Sequence, residues 1–409
     1  MPIRKCPDAP ALTGTNSKNL EFTVQLVTPM FGGGVVAREV DEIHPIRETS
    51  IRGQLQFWWR ATSGANYDNS KALNDAHSEI WGSTNLKSKI KILVKQPLSK
   101  IKISYDDITR QHQPLKYALF PFAQNKQTPQ AHGFKQGLSF SVKIQSLANE
   151  ITSSQWEEIL VAIKAWINFG GLGSRTRRGC GSLFSKDLSF KDLQSTQKWI
   201  NEQGSDRKLD WPTLSKKSYC YHKLDDPLAS WSDSISLMQY FRQGEDFGRN
   251  HRSPGKNNPG RSRFPEPDTI RRLTKKNDSR HQPSNSMPDG FPRAEFGLPI
   301  IFHFKDHLDP EETTLIPDFK DAERFASPLI LKTIACNDSQ GFPSVILLNG
   351  RRVNSCRLML NKRSSVPNSE RIPINSPSFK NINPSPMNNH ESAIDAFLAY
   401  AQKEGYLPN

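Results

Sequence analysis

Apolar and polar residues alternate along Leu20–Thr28 (LEFTVQLVT), placing Leu20, Phe22, Val24 and Leu26 on one face, the pattern of a half-buried strand. Pro29 ends it, and Gly32–Gly34 follow as a turn. From Ile51 towards Ser63 the period changes: Ile51, Leu55, Trp58, Trp59 and Thr62 recur at helical spacing, with Thr49 or Ser50 available as cap. Ile90–Val94 and the alternation Leu138, Phe140, Val142, Ile144 predict further strands. A second helix is marked by Ser154 and Glu157 as a capping box and by the stripe Trp156, Ile159, Leu160, Ile163, Trp166 and Ile167. It stops at Phe169-Gly170-Gly171, and a strand over Ser182–Phe190 follows. The order of elements predicts an α+β domain of ferredoxin-like outline over residues 18–195, with helices on one face of an antiparallel sheet.

Residues 1–17 form a polar lead, and the weakly patterned stretch 196–218 is expected to be a linker. A second domain then spans 219–409, with strands at Gly297–Phe304, Pro328–Ile334 and Val345–Leu348 and a closing helix from about Glu391 to Lys403. Between Arg242 and Gly290 there are 11 Lys/Arg against 6 Asp/Glu, with repeated Pro, Asn, Ser and Gly. That composition predicts a loop or disorder, because it has too little apolar surface to offset the entropy of ordering. The polar stretch 361–390 is expected to be equally irregular.

The length of 409 residues suits two or three domains, while the 35% hydrophobic content and 29 prolines point to long polar insertions. The excess of 55 Lys+Arg over 41 Asp+Glu gives a net charge of +14, which favours a polyanionic partner, nucleic acid first. No run approaches the ~18 uncharged apolar residues of a membrane span, and the first residues lack the apolar core of a signal peptide, so a soluble, cytoplasmic protein is expected. Five cysteines scattered singly argue against a disulfide framework or structural zinc, and no metal or cofactor is expected.

The candidate chemistry centres on Gly170–Gly181, GGLGSRTRRGCG. Its glycines let the backbone approach a ligand closely, and Arg175, Arg177 and Arg178 offer planar, bidentate donors suited to phosphate. The spacing is not that of a P-loop, and no strand precedes it as a dinucleotide fingerprint requires. The reading is a clamp on a nucleic-acid backbone built from Gly171, Gly173, Ser174, Arg175, Thr176, Arg177, Arg178 and Gly179; a helix cap followed by a solvated basic turn is the alternative. Arg52, Gln56 and Arg60 share one helix face and form a second basic stripe, which an ordinary solvent-facing helix side would also produce. Trp58 and Trp59 have the look of base-stacking residues, yet at least one occupies the apolar stripe of the helix and is expected in the core, so neither is assigned as a site. Asp41, Glu42 and His44 lack the spacing of a metal or hydrolase motif, and no G-x-S-x-G or H-E-x-x-H occurs.

Taken together, Thr49–Ala61 (TSIRGQLQFWWRA), the loop GGLGSRTRRGCG, Ser262-Arg263-Phe264-Pro265 and Phe291-Pro292-Arg293-Ala294 with GLPIIFHF resemble the RAMP proteins of CRISPR systems, and within them the family of first Cmr subunits of type III-B effector complexes. The resemblance implies two ferredoxin-like (RRM-like) folds in one chain, with the glycine loop facing RNA. It implies a non-catalytic subunit near the 3′ end of the CRISPR RNA, with CRISPR RNA, single-stranded target RNA and the sixth and backbone Cmr subunits as partners and no membrane. The contacts it implies are the loop Gly171–Gly179, Arg52 and Arg60, and Arg263 lies in one of its motifs. A metal-independent endoribonuclease that processes CRISPR RNA, with His44 as its acid or base, and a purely architectural subunit are the alternatives.

Overall fold

The computed structural model describes residues 17–36, 38–146, 150–252, 260–319 and 322–408. The predicted polar lead lies almost wholly outside them. The first unit runs β1 (Asn19–Leu26), α1 (Glu48–Ala61), β2 (Ile90–Lys95), β3 (Ser139–Ser146), α2 (Ser153–Phe169) and β4 (Leu183–Phe184). Its sheet has the order β2-β3-β1-β4 with every neighbouring pair antiparallel, and the register sets Phe22 opposite Val142. This is the ferredoxin-like βαββαβ arrangement. The alternation along β1 carries through: Phe22, Val24 and Leu26 are buried among Leu55, Ile159 and Ile163 of the two helices. A small sheet of Met30–Phe31, Lys102–Ser104 and His132–Phe134 stands beside it.

The second unit repeats the plan with β5 (Tyr219–Tyr221), α3 (Pro227–Gln243), β6 (Leu329–Ala335), β7 (Gly341–Asn349), α4 (Ala393–Lys403) and β8 (Tyr406–Pro408). Its order β6-β7-β5-β8 is again antiparallel throughout. β6 is buried at every position, which explains why its sequence is a nearly unbroken apolar run. Ile330 and Ile334 join the first unit's core, while Leu329 and Leu331 pack with Trp231 and Phe397 on the opposite face. The second sheet is thus sandwiched between α2 on one side and α3 with α4 on the other.

Several expected boundaries move. α1 starts at Glu48 behind Arg47, with no side-chain cap from Thr49 or Ser50. The capping box of α2 is Thr152 with Gln155, two residues before the predicted pair. The strand expected over Ser182–Phe190 is only two residues long, because Ser185–Ser189 close into a turn. The stretch 196–218 is no plain linker. A helix, Leu193–Gln203, starts three residues before it and buries Trp199 and Ile200 against Phe169, and Thr213–Leu214 pairs with β7.

The insertion 242–290 is structured wherever it is described, with residues 253–259 outside the described set. Its helix Glu266–Thr274 is held by ion pairs that a count of charges does not reveal: Arg271 donates twice to Asp309 (2.9 and 2.7 Å), and Arg272 reaches Asp289. The expected strand Gly297–Phe304 shrinks to Ile300–Phe302 and belongs to a separate sheet with Thr313–Pro317, Cys356–Leu360 and Ser364–Ser365. Residues 361–390 are irregular but packed, burying Phe379, Ile382 and Met387. No helix among the described residues is long and apolar enough to cross a membrane.

Candidate nucleic-acid interface

The glycine loop lies on the seam between the two units. α2 ends at Phe169, and the chain turns through Gly170–Gly181 to reach β4. Backbone bonds fix the loop at both ends: Leu172 N–H donates to Gly181 O (3.0 Å), and Ser174 N–H to Phe31 O (2.7 Å). Two glycines are required by geometry. At Gly173 (φ +81°) a Cβ would collide with Phe31 O, and at Gly179 (φ +84°) it would collide with the Trp231 indole. Arg175 adopts a left-handed conformation (φ 59°) ahead of the short turn Thr176–Arg178.

The three arginines divide their work. Arg178 donates to Leu329 O (2.9 Å), Arg177 donates to Ser327 O, and the Trp231 indole N–H donates to Arg178 O. β6 is the edge strand of its sheet, so the Leu329 carbonyl at its start, like that of Ser327 just before it, takes its donor from outside the sheet. The expectation of three arginines free for phosphate is therefore corrected: Arg178 is a staple between the units, and burial draws its guanidinium down to about 10. Arg177 keeps part of its fork free and lies over the Phe57 ring at 5.6 Å. Arg175 lies over the exposed Phe120 ring at 5.6 Å. Burial lowers both guanidinium groups as well. Among the described residues neither has a carboxylate within ion-pair distance. Gly173 and Ser174 are exposed, Thr176 is half-buried, and Gly171 and Gly179 are buried.

The helix stripe is corrected too. Arg52 donates to Ser88 Oγ (2.8 Å) and Ile90 O (2.8 Å), so it ties α1 to the start of β2. Arg60 lies 3.1 Å from His77 Nε2, on the helix Ser70–Trp81. Burial and the Arg60 charge push the His77 imidazole down to about 4, which leaves it neutral and able to accept that bond. Gln56 is half-buried on the same covered face. Arg263 is also committed, donating to Asn250 Oδ1 (2.8 Å) and Asp246 O, with only 17% of its side chain exposed. The two later motifs meet in the interior: Arg293 pairs with the fully buried Glu266 (3.1 Å) and stacks on Phe264 at 5.0 Å. Trp58 and Trp59 are both in the core, where at least one was expected.

Sequence reasoning missed Phe57 and Phe120, the rings beneath the loop arginines, and Lys332. This lysine is fully buried between Ile330 and Ile334, donates to Gly170 O (2.7 Å) at the end of α2, and is pushed down to about 7 by burial. A charged residue inside the run PLILKTI was the available signal. His281, Asp306 and Asp309 are close enough to share a cation, yet Arg271 already holds Asp309 and Arg280 holds Asp306 (2.6 Å).

Residues 23–184, the first unit with its loop up to β4, match the RAMP superfamily. The Cmr subunit Cmr1-1 of the CRISPR system of Pyrococcus furiosus is 26% identical over 167 residues, 40% of this chain and 46% of that protein. Cmr1-2 of the same organism is 28% identical over 186 residues, 40% of this chain and 92% of that protein. The chain thus spans less than half the length of the first of these relatives. Among solved structures, apo Cmr1 from Pyrococcus furiosus aligns with a TM-score of 0.46 at 19% identity, over 82% of this chain and 88% of that one. A chain of the type III-B Cmr-beta complex bound to cognate target RNA aligns with a TM-score of 0.45 at 12% identity, over 80% and 94%. Residues 23–184 are thus similar to the RAMP superfamily, and part of the chain is similar in sequence to the Cmr1 subunits of the CRISPR system of Pyrococcus furiosus.

Proposed function

We propose that this chain is a non-catalytic, RNA-binding subunit of a type III-B CRISPR (Cmr) effector complex. In this reading it positions the 3′ region of the CRISPR RNA and the target RNA beside the sixth and backbone subunits. The observation that carries the reading is the pairing of Arg175 with Phe120 and of Arg177 with Phe57 on one glycine loop at the unit seam. A guanidinium without a carboxylate partner attracts a phosphate, and the exposed Phe120 ring next to Arg175 stacks a base, the combination that holds single strands without reading sequence. Guide pairing then supplies the specificity. The sequence relatives, named as Cmr subunits, support the complex to which this surface belongs.

The test is fluorescence-anisotropy binding of a single-stranded RNA by the assembled complex across a salt series. Arg175→Gln is expected to weaken binding for every sequence and to reduce the slope of log K against log salt by about 0.7, one lost phosphate contact. Wild-type affinity and slope in that variant overturn the interface. His44 lies in an exposed turn, where its backbone N–H donates to Asp41 (2.8 Å). Discrete products from a repeat-containing precursor RNA, lost in His44→Ala, overturn the non-catalytic role.

A further inference from the structure

Behind the loop, on the other side of Arg177, the seam encloses a pocket of about 240 Å³ that none of the candidate residues above was chosen to explain. Its walls are of two kinds. One is apolar, with Phe325, Pro328, Leu348, Val353 and Ile394. The other carries four guanidinium groups, those of Arg177, Arg324, Arg351 and Arg352, against two carboxylates, Asp210 and Glu295. Glu295 is already used: it accepts from Ser392 Oγ (2.7 Å) and Ile394 N–H (3.2 Å) at the start of α4, and it lies 3.5 Å from Arg352. Arg351 is aimed by stacking on Phe319 at 4.5 Å. That leaves Arg177, Arg324 and Arg351 with only Asp210 as an uncommitted acid on the wall. Among the described residues none of these three arginines lies within ion-pair distance of a carboxylate.

We infer that this pocket binds a single nucleoside monophosphate unit, with the phosphate held by Arg177, Arg324 and Arg351 and the base laid against Phe325 and the aliphatic wall. A surplus of planar donors calls for an oxyanion with several acceptor oxygens, which phosphate provides and a carboxylate provides less well. The apolar wall calls for a flat, weakly polar body on the same ligand. The volume lies just below the ~300–1,000 Å³ of ordinary small-molecule sites, which limits the ligand to a single nucleotide unit and excludes an oligonucleotide. Such a unit comes either free or as one nucleotide of a strand turned out of its stack, and the chemistry of the two is shared. This inference goes beyond RNA binding at the loop; the pocket shares Arg177 with that interface, whereas Arg324, Arg351 and Phe325 belong to the pocket alone.

The experiment is calorimetric titration of the full chain with AMP, CMP, GMP and UMP, and separately with inorganic phosphate and with unphosphorylated nucleosides. At least one monophosphate is expected to bind tenfold or more tightly than phosphate or its own nucleoside, and the double variant Arg324→Gln/Arg351→Gln is expected to weaken that binding at least tenfold. Both side chains are exposed, so the variant's melting temperature without ligand should match the wild type, which separates lost binding from lost folding. Absence of nucleotide binding, equal affinity for phosphate alone, or unchanged affinity in the double variant each overturns the site. Titration with a short RNA bearing or lacking a terminal phosphate then distinguishes the sources. Binding of the free nucleotide with no gain from the RNA assigns the pocket to a free ligand, and tighter binding of the RNA assigns it to a strand. Arg175→Gln should leave nucleotide affinity intact, so a failure of the loop interface and a failure of this pocket give different results.

Discussion

Lys332 stands between Ile330 and Ile334 on the face of β6 that meets the end of α2, and its ammonium donates there to the Gly170 carbonyl. Removing a lysine from water disfavours its charged form, and the folded-state value falls to about 7 from 10.5. Between those two values the unfolded chain holds the extra proton, so stability rises with pH across that window, and below about 7 the full cost of burial is in place. Urea denaturation at pH 7 and pH 9 is expected to show the wild type gaining on the order of 2 kcal/mol over Lys332→Met, because one proton's difference between the two states is worth about 1.4 kcal/mol for each step of one in pH. Equal gains in the two proteins would show that Lys332 stays charged in the fold. The loop arginines show what a sequence hides. Their number and spacing were legible, but Arg178, like Arg52 on α1, bonds to a backbone carbonyl, Leu329 O and Ile90 O respectively, and a carbonyl acceptor has no residue type to betray it.

At the level of elements, long periodic segments were readable and short ones were not. β1, β3, α2 and α4 each bury a face with a clear period, and each lies where its pattern puts it. β4 has two residues and β5 three, too few for alternation to register, and the helix Leu193–Gln203 presents mostly polar residues around Trp199 and Ile200. The glycines separate in the same way. In Gly179→Ala the new Cβ collides with the Trp231 indole at a positive φ, so a loss of about 1–3 kcal/mol from overpacking alone is expected. Chemical denaturation followed through tryptophan fluorescence measures it, and wild-type stability would show that the loop does not press on α3. Gly53 is the opposite case. It is exposed in α1 with nothing within 4 Å of an added Cβ, so Gly53→Ala should hold or raise stability, by up to about 1 kcal/mol. A loss there would mean that α1 needs the open face for something the isolated chain does not show.

Across the whole molecule the net charge of +14 overstates the surface offered to a polyanion. Much of the basic excess in the 242–290 insertion is spent internally, with Arg261 on Asp268, Arg263 on Asp246, Arg271 on Asp309 and Arg272 on Asp289. The two βαββαβ units are likewise less separate than their repeated topology suggests. Ile330, Ile334, Phe342 and Ile346 of the second sheet belong to the same core as Trp166 and Phe169 of the first unit. Arg177, Arg178 and Lys332 bond across that seam in both directions. Stripping the first unit away would expose one face of β6, whose every position is buried, and would leave the Lys332 ammonium and the Leu329 carbonyl without their partners. Differential scanning calorimetry of the full chain is therefore expected to give one cooperative transition for both units, with Arg178→Ala lowering its midpoint without splitting it. Two well-separated transitions in the wild type would show that the shared core is too weak to couple the units. The glycine loop would then act as a hinge between them and not as a staple.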